Sequence, residues 1–264
     1  MSEQPGRPGQ TAVECDLPDG RSVLGIHPME TVTLWGEIAG DSPYARASAG
    51  LGPDDVILDI GAHIGLASMR FAEQAPGARI LSFEPAPVTY ACLADNVTRH
   101  VPTGTAYPQA VGGEAGTAEL TFHPFNSSTS TLHADPEDDL RNFTAFVDNT
   151  EVPGDARELM LSAFGEKQTV TVDVTTVTAV VKEHGIERIG LLKIDVERGE
   201  LEVLRGIDAG LWPRIQRVLL EVHDIDGRLG RIVAELAGLG FEVTVSQAPV
   251  FVGGSVFNLL ATRP

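Results

Sequence analysis

From about residue 51 to the C-terminus, short apolar runs alternate with stretches whose apolar positions recur every three or four residues. Runs of the first kind predict strands buried on both faces, and stretches of the second kind predict amphipathic helices. Val56 to Ile60 is the first such strand, followed by a turn and an apolar, helix-compatible segment, Leu66 to Ala72. Ala78 to Phe83 predicts a second strand. Val88 to His100 predicts a helix with Val88, Cys92, Leu93 and Val97 on one face. Thr105 to Val111 reads as a third strand, and Thr117 to Phe122 alternates as a strand to one side of the series. After the interruption at 123 to 168 the rhythm resumes. Strands are expected at Val170 to Val174, Ile189 to Val196, Arg217 to Val222, Phe241 to Ser246 and Val256 to Thr262. Helices are expected at Val177 to His184, Glu200 to Gly206 and Leu229 to Leu239.

Strand and helix in alternation imply an α/β fold with a mostly parallel sheet covered on both faces. The last two strands, joined only by a loop, should pair antiparallel. Residues 1 to 11 read as a frayed tail, Ser22 to Leu34 as a strand or hairpin, and Leu34 to Ser48 as short helices. The interruption holds a polar loop, Asn126 to Thr131, an acidic stretch, Asp135 to Asp139, and a possible short helix, Asp155 to Phe164. So long an irregular insertion in a compact domain predicts a substrate lid. The expected organisation is a cap at 1–50 and one ligand-binding domain at 51–264, with the lid inside it.

Composition narrows the function. Hydrophobic residues make up 42% of 264, enough for a sizeable core. No apolar run approaches the ~18 residues of a membrane span, and Met1 to Gln10 lacks the apolar core of a signal peptide. A cytoplasmic protein that engages no membrane is expected. A net charge of −18 disfavours a nucleic-acid partner, which binds through clustered Lys and Arg. Cys15 and Cys92 match no zinc spacing and read as reduced thiols.

The chemistry starts at Asp59-Ile-Gly-Ala-His-Ile-Gly65, where a buried strand would turn into a helix. Gly61 permits the sharp turn, and Gly65 lets the helix start pack closely. His63 stands where a dinucleotide site needs glycine for a pyrophosphate, which argues against an NAD-dependent oxidoreductase, and no phosphate-cradling G-K-[ST] is present. A nucleoside ligand without phosphate, S-adenosylmethionine (SAM), fits better. Glu84 ends the next strand, where an acid would accept from both ribose hydroxyls. Lys193, Asp195 and Glu197 alternate, so in a strand they would share one side. Glu221 and His223 end the following strand in the same way.

Three motifs together resemble the FkbM-type SAM-dependent methyltransferases. They are Asp59-Ile-Gly-Ala-His-Ile-Gly65, Phe83-Glu-Pro-Ala-Pro87, and Lys193-Ile-Asp-Val-Glu197 followed by Glu200-Leu-Glu-Val-Leu204. The likeness runs from about Leu51 to Arg205. It implies the Rossmann-like, seven-stranded class I methyltransferase sheet and, for most members, O-methylation of natural products or sugars. By resemblance, Asp59, Gly61, Ala62, His63 and Gly65 would line the methionine end of SAM. Glu84 and Pro85 would meet the ribose, Gln109 and Ala110 the adenine, and Ser128 in the polar loop would lie near the cofactor. Asp195 and Glu197 would face the transferred methyl or the acceptor, beside Lys193. The family usually has Asn where His63 stands, and its glycine usually follows Val-Glu directly, whereas here Arg198 intervenes and would reshape the pocket or meet a substrate carboxylate.

A hydroxyl acceptor needs a base, for which Asp195, Glu197 and His223 are candidates, His223 having the best unperturbed pKa. A divalent metal at Asp195, Glu221 and His223 would lower the hydroxyl's pKa, but acids at strand ends are common without metals, and the metal-free reading is preferred. The other functional reading is a SAM-binding module without catalysis. Sugar, polyketide, peptide and carrier-bound acceptors all fit the sequence, as does nitrogen as the acceptor atom.

Overall fold

A computed structural model describes residues 12–150 and 166–264. At its centre is β3 (Val56–Ile60), where Ile57, Leu58, Asp59 and Ile60 are at most 1% exposed. Parallel neighbours flank it: β4 (Arg79–Phe83) and then β5 (Gly104–Tyr107) on one side, β9 (Leu191–Ile194) and β10 (Arg217–His223) on the other. Beyond β10 comes the last strand, β12 (Val256–Thr262), antiparallel to both β10 and the edge strand β11 (Glu242–Ser246). The order β11-β12-β10-β9-β3-β4-β5 is the expected seven-stranded, mostly parallel sheet with its antiparallel last strand. It reverses direction of winding between β3 and β9, the crevice where open α/β sheets bind ligands.

Helices cover both faces. α3 (Leu66–Gln74) and α4 (Pro87–His100) pack one side with Met69, Phe71, Cys92 and Leu93. α6 (Val177–Glu183), α7 (Glu200–Arg205) and α8 (Arg228–Gly238) pack the other against Leu192, Val218 and Leu220. Each large apolar side chain fully buried here stabilises the fold by about 1.5–3 kcal/mol.

The structure departs from the pattern-based expectation in four places. The N-terminal segment forms the hairpin β1 (Val13–Asp16) and β2 (Ser22–Gly25), and α1 (Pro28–Ile38) starts well before Leu34, with proline at its first turn; α2 (Pro43–Ser48) follows. The expected strand from Thr105 to Val111 breaks at Pro108, which has no N–H for a ladder. Its second half, β6 (Ala110–Val111), joins β7 (Gly116–Phe122) and β8 (Gln168–Thr175) in a separate three-stranded sheet. The acidic stretch opens a helix, α5 (Pro136–Asn149), capped by Asp135, whose carboxylate accepts from the N–H groups of Glu137 and Asp138. Finally, β9 ends at Ile194, so Asp195 and Glu197 stand on a loop and not on the strand face assigned to them. The possible helix Asp155 to Phe164 and the tail 1 to 11 lie outside the described residues. Among the described residues, no helix is long and apolar enough to cross a membrane.

Candidate active site

The carboxyl ends of β3, β4, β9 and β10 form the floor of a cavity of about 1160 Å³. After β3 the backbone turns through Gly61 at φ +71, and the N–H groups of Gly61 and Ala62 both donate to the Phe83 carbonyl. A Cβ at residue 61 would overlap the Asp195 carbonyl oxygen, so the turn works only with glycine. Gly61, Ala62 and His63 line the cavity; Asp59 and Gly65 do not. Asp59 is fully buried behind the turn: one carboxylate oxygen accepts from Ser68 at 2.5 Å, and the other faces the Lys193 ammonium at 3.2 Å. Gly65, at φ +91, starts α3 and faces Leu93 of α4. Both are supports of the turn, not part of its cavity face.

Glu84, 8% exposed, accepts from the His63 N–H at 3.1 Å and the Ala86 N–H at 2.9 Å. Burial pushes its carboxyl up to about 7, against the pull of those two donors. Its oxygens keep lone pairs for further donors from the cavity it lines. Pro85, Gln109, Ala110 and Ser128 line the same cavity.

His63 ties this region to the N-terminal segment. Its Nε2 lies 2.7 Å from the Ser127 hydroxyl, which donates to Glu30 of α1 at 2.9 Å, while the Ser128 N–H donates to the other Glu30 oxygen. Because that hydroxyl's hydrogen goes to Glu30, His63 donates to it through Nε2. Burial lowers the pKa of His63, consistent with a neutral ring.

Lys193 is 2% exposed, and its ammonium donates to the Gly61 carbonyl at 2.6 Å between Asp59 and Asp195 (3.3 Å). Burial alone would lower its pKa, but the two carboxylates outweigh that and raise it. Asp195 is pushed up by burial, against Lys193. The chain then passes through Glu197 (φ +52) and Arg198 (φ +79), the left-handed region that glycine favours. Thr131 holds this turn by donating to the Glu197 carbonyl.

His223 is 4% exposed, with Nδ1 2.8 Å from Asp138 of α5 and Nε2 3.0 Å from Glu197. Burial opposes the charged ring, yet the carboxylates win and hold it protonated well above the ordinary histidine range. Two flanking carboxylates thus shift His223 away from the unperturbed pKa that recommended it as a base. Arg198, 3% exposed, lines the cavity and pairs with Asp138 and Asp139 of α5. Among the described residues, Glu197, Glu221 and His223 bring one donor atom each within 4.8 Å of one another.

Sequence reasoning missed Glu30, Glu37 and Tyr44, which face the cavity from the N-terminal segment. Burial pushes Glu37 up to about 7, with the Asp195 charge adding to it. Glu30, Thr33, Leu34 and Glu37 recur at helical spacing, a signal usable once the helix is started at Pro28.

Comparison with known proteins places the chain. The family model for the methyltransferase FkbM domain matches residues 59–243. The 31-O-demethyl-FK506 methyltransferase FkbM of Streptomyces tacrolimicus is 37% identical over 248 residues, covering 94% of this chain and 95% of its own. Methyltransferase sdnD of Sordaria araneosa is 33% identical over 240 residues, covering 87% and 89%. The crystal structure of a methyltransferase FkbM from Methylobacillus flagellatus KT is similar in fold, with TM-score 0.51 at 12% identity; it covers 88% of this chain, which spans 58% of that one.

Proposed function

The chain belongs to the FkbM methyltransferase family, and on that premise we propose that it methylates a hydroxyl group of a small molecule, using SAM as donor. The observation that carries the reading is one cavity whose wall combines two kinds of chemistry. The glycine turn and Glu84, whose spare lone pairs suit ribose hydroxyls, share that wall with the acids Glu37, Asp195 and Glu221 and with apolar side chains that include Phe143 and Phe251. Its volume of about 1160 Å³ exceeds that of a typical single-ligand pocket, roughly 300–1,000 Å³, and suits two ligands side by side.

SAM, when bound, supplies a methyl group on a sulfonium, an electrophile open to in-line displacement. The chain's part is alignment, dehydration and proton removal. In this reading Gly61, Ala62 and His63 bear on the methionine end of the cofactor, Glu84 and Pro85 on the ribose, Gln109 and Ala110 on the adenine, and Ser128 lies nearby. Asp195 takes the acceptor's proton: its carboxyl is raised by burial yet kept in place by Lys193. Residues 1–50 act as a cap on the 51–264 domain, supported by Glu30, Glu37 and Tyr44 on the cavity wall, and the segment 123–168 acts as a lid, supported by Phe143 and Phe146 of α5. The acid-lined cavity disfavours a phosphate-rich acceptor.

S-adenosylhomocysteine should raise the melting temperature of the protein, and NADH should not. The opposite pattern would replace this reading with an oxidoreductase.

A further inference from the structure

Glu221 and His223 stand two residues apart in β10, so both project from the same face of the sheet. The turn after β9 brings Glu197 against them, and one donor atom from each residue lies within 4.8 Å of the other two. Ligands at about 2.1 Å from a small divalent ion stand at most about 4.2 Å apart. Shifts of a few tenths of an ångström would therefore close the three on one ion.

A group of carboxylates is no site by itself, and His223 supplies the second observation. It is 96% buried by its 4% exposure, and the Asp138 carboxylate accepts from its Nδ1 at 2.8 Å. That carboxylate–imidazole arrangement leaves Nε2 as the ligand atom and fixes its direction. Nε2 points into the cluster, 3.0 Å from Glu197, but without an aligned hydrogen bond. The Glu221 carboxylate lines the cavity and is under the charges of Asp195, Glu197 and His223. A buried ring nitrogen and two carboxylates thus converge on one point of the cavity wall.

We propose that Glu197, Glu221 and His223 bind one divalent first-row cation, of the manganese kind, on the cavity wall. One imidazole and two carboxylates form a mixed nitrogen and oxygen set that suits such an ion better than the all-oxygen cages of calcium. On binding, Nε2 gives its proton to solvent and its lone pair to the ion. Three protein ligands leave coordination positions open, and an acceptor hydroxyl in one of them would ionise more readily. This inference deepens the methyl-transfer reading and rests on it for the role of the ion, though not for its binding.

The test is Mn²⁺ titration of the full chain, stripped with EDTA and desalted, following the electron paramagnetic resonance signal of free Mn²⁺. One ion per chain should bind. Glu221→Gln should weaken binding at least tenfold, and Glu119→Gln, on the separate three-stranded sheet, should change it less than threefold. Glu221→Asp, which keeps the charge but shortens the arm, is a second variant should the first fail to fold, and should also weaken binding. No binding at millimolar Mn²⁺, or binding indifferent to both Glu221 variants, would overturn the proposal. S-adenosylhomocysteine calorimetry on the same stripped protein separates the two claims: cofactor binding without Mn²⁺ binding removes the metal and leaves the methyltransferase reading, and the reverse removes that reading.

Discussion

Glu84 carries the most testable single-residue chemistry. Ribose hydroxyls would donate to its carboxylate, so the ionised form should bind S-adenosylhomocysteine more tightly. With the carboxyl pushed up to about 7 in the ligand-free protein, affinity should rise as pH passes upward through about 7. Lys193 and Asp195, the other charges that bear on Glu84, act in opposite directions. Glu84→Gln should flatten the pH profile and weaken binding by about 1–3 kcal/mol at pH 8, the usual cost of charge-assisted hydrogen bonds; calorimetry from pH 6 to 8 checks both. Gly61 is the other sharp case. Gly61→Ala meets the Asp195 carbonyl at positive φ and should cost more than the roughly 1 kcal/mol of an ordinary glycine replacement; an unchanged denaturation midpoint would contradict the packing described. Both residues were legible in the sequence because their roles are local: a turn between strand and helix, and an acid at a strand end. The direction of Asp59 was not. It is set by Ser68 and by Lys193, which arrives on another strand, and no local pattern records that meeting.

At the scale of elements, α5 is the part the hydrophobic pattern concealed. Its start was nonetheless written in the chain, as Asp135 followed by proline and three acids, the composition of a helix N-terminus. Its docking was not legible, because it depends on Arg198. That residue adopts φ +79, a conformation for glycine, just where the family's glycine usually follows Val-Glu. The strain is offset by a buried guanidinium that pairs with Asp138 and Asp139, while the Arg198 carbonyl accepts from Arg228 at 2.8 Å. Arg198→Gly would relax the backbone yet leave two carboxylates short of a partner. Removing one side of a buried pair costs about 3–5 kcal/mol, less here by the strain released. Hydrogen exchange should therefore speed up across 136–149 and stay unchanged in β3 and β4; uniform exchange would mean that Arg198 does not clamp α5. The split of the expected third strand has a similarly plain cause in Pro108, and it moves β6 and β8 out of the main sheet.

Across the whole molecule, an acidic chain folds around an acidic cavity. Burial pushes Glu37 and Glu84 each up to about 7, whereas the unfolded chain ionises them near 4.5. Between those values the folded state holds more protons than the unfolded one. Their contribution to stability must then fall as pH rises through that window. The stability of wild type relative to Glu84→Gln, from denaturant midpoints, should decline between pH 5 and 8; a flat difference would contradict the raised carboxyl. The alternation of strand and helix and the antiparallel last pair were readable from periodicity, because the central strands are buried runs; the strand order was not. The cavity was not, since its walls come from the N-terminal segment, α5 and four strand ends that meet only in three dimensions. The central claim is methyl transfer to oxygen, and the most direct measurement is incubation with SAM carrying an isotopically labelled methyl group and a library of hydroxylated and aminated small molecules, with products located by mass spectrometry and NMR. The account predicts label on a hydroxyl oxygen, much reduced in Asp195→Asn at saturating SAM. Label on nitrogen, or a chain that binds S-adenosylhomocysteine and transfers nothing, would contradict it.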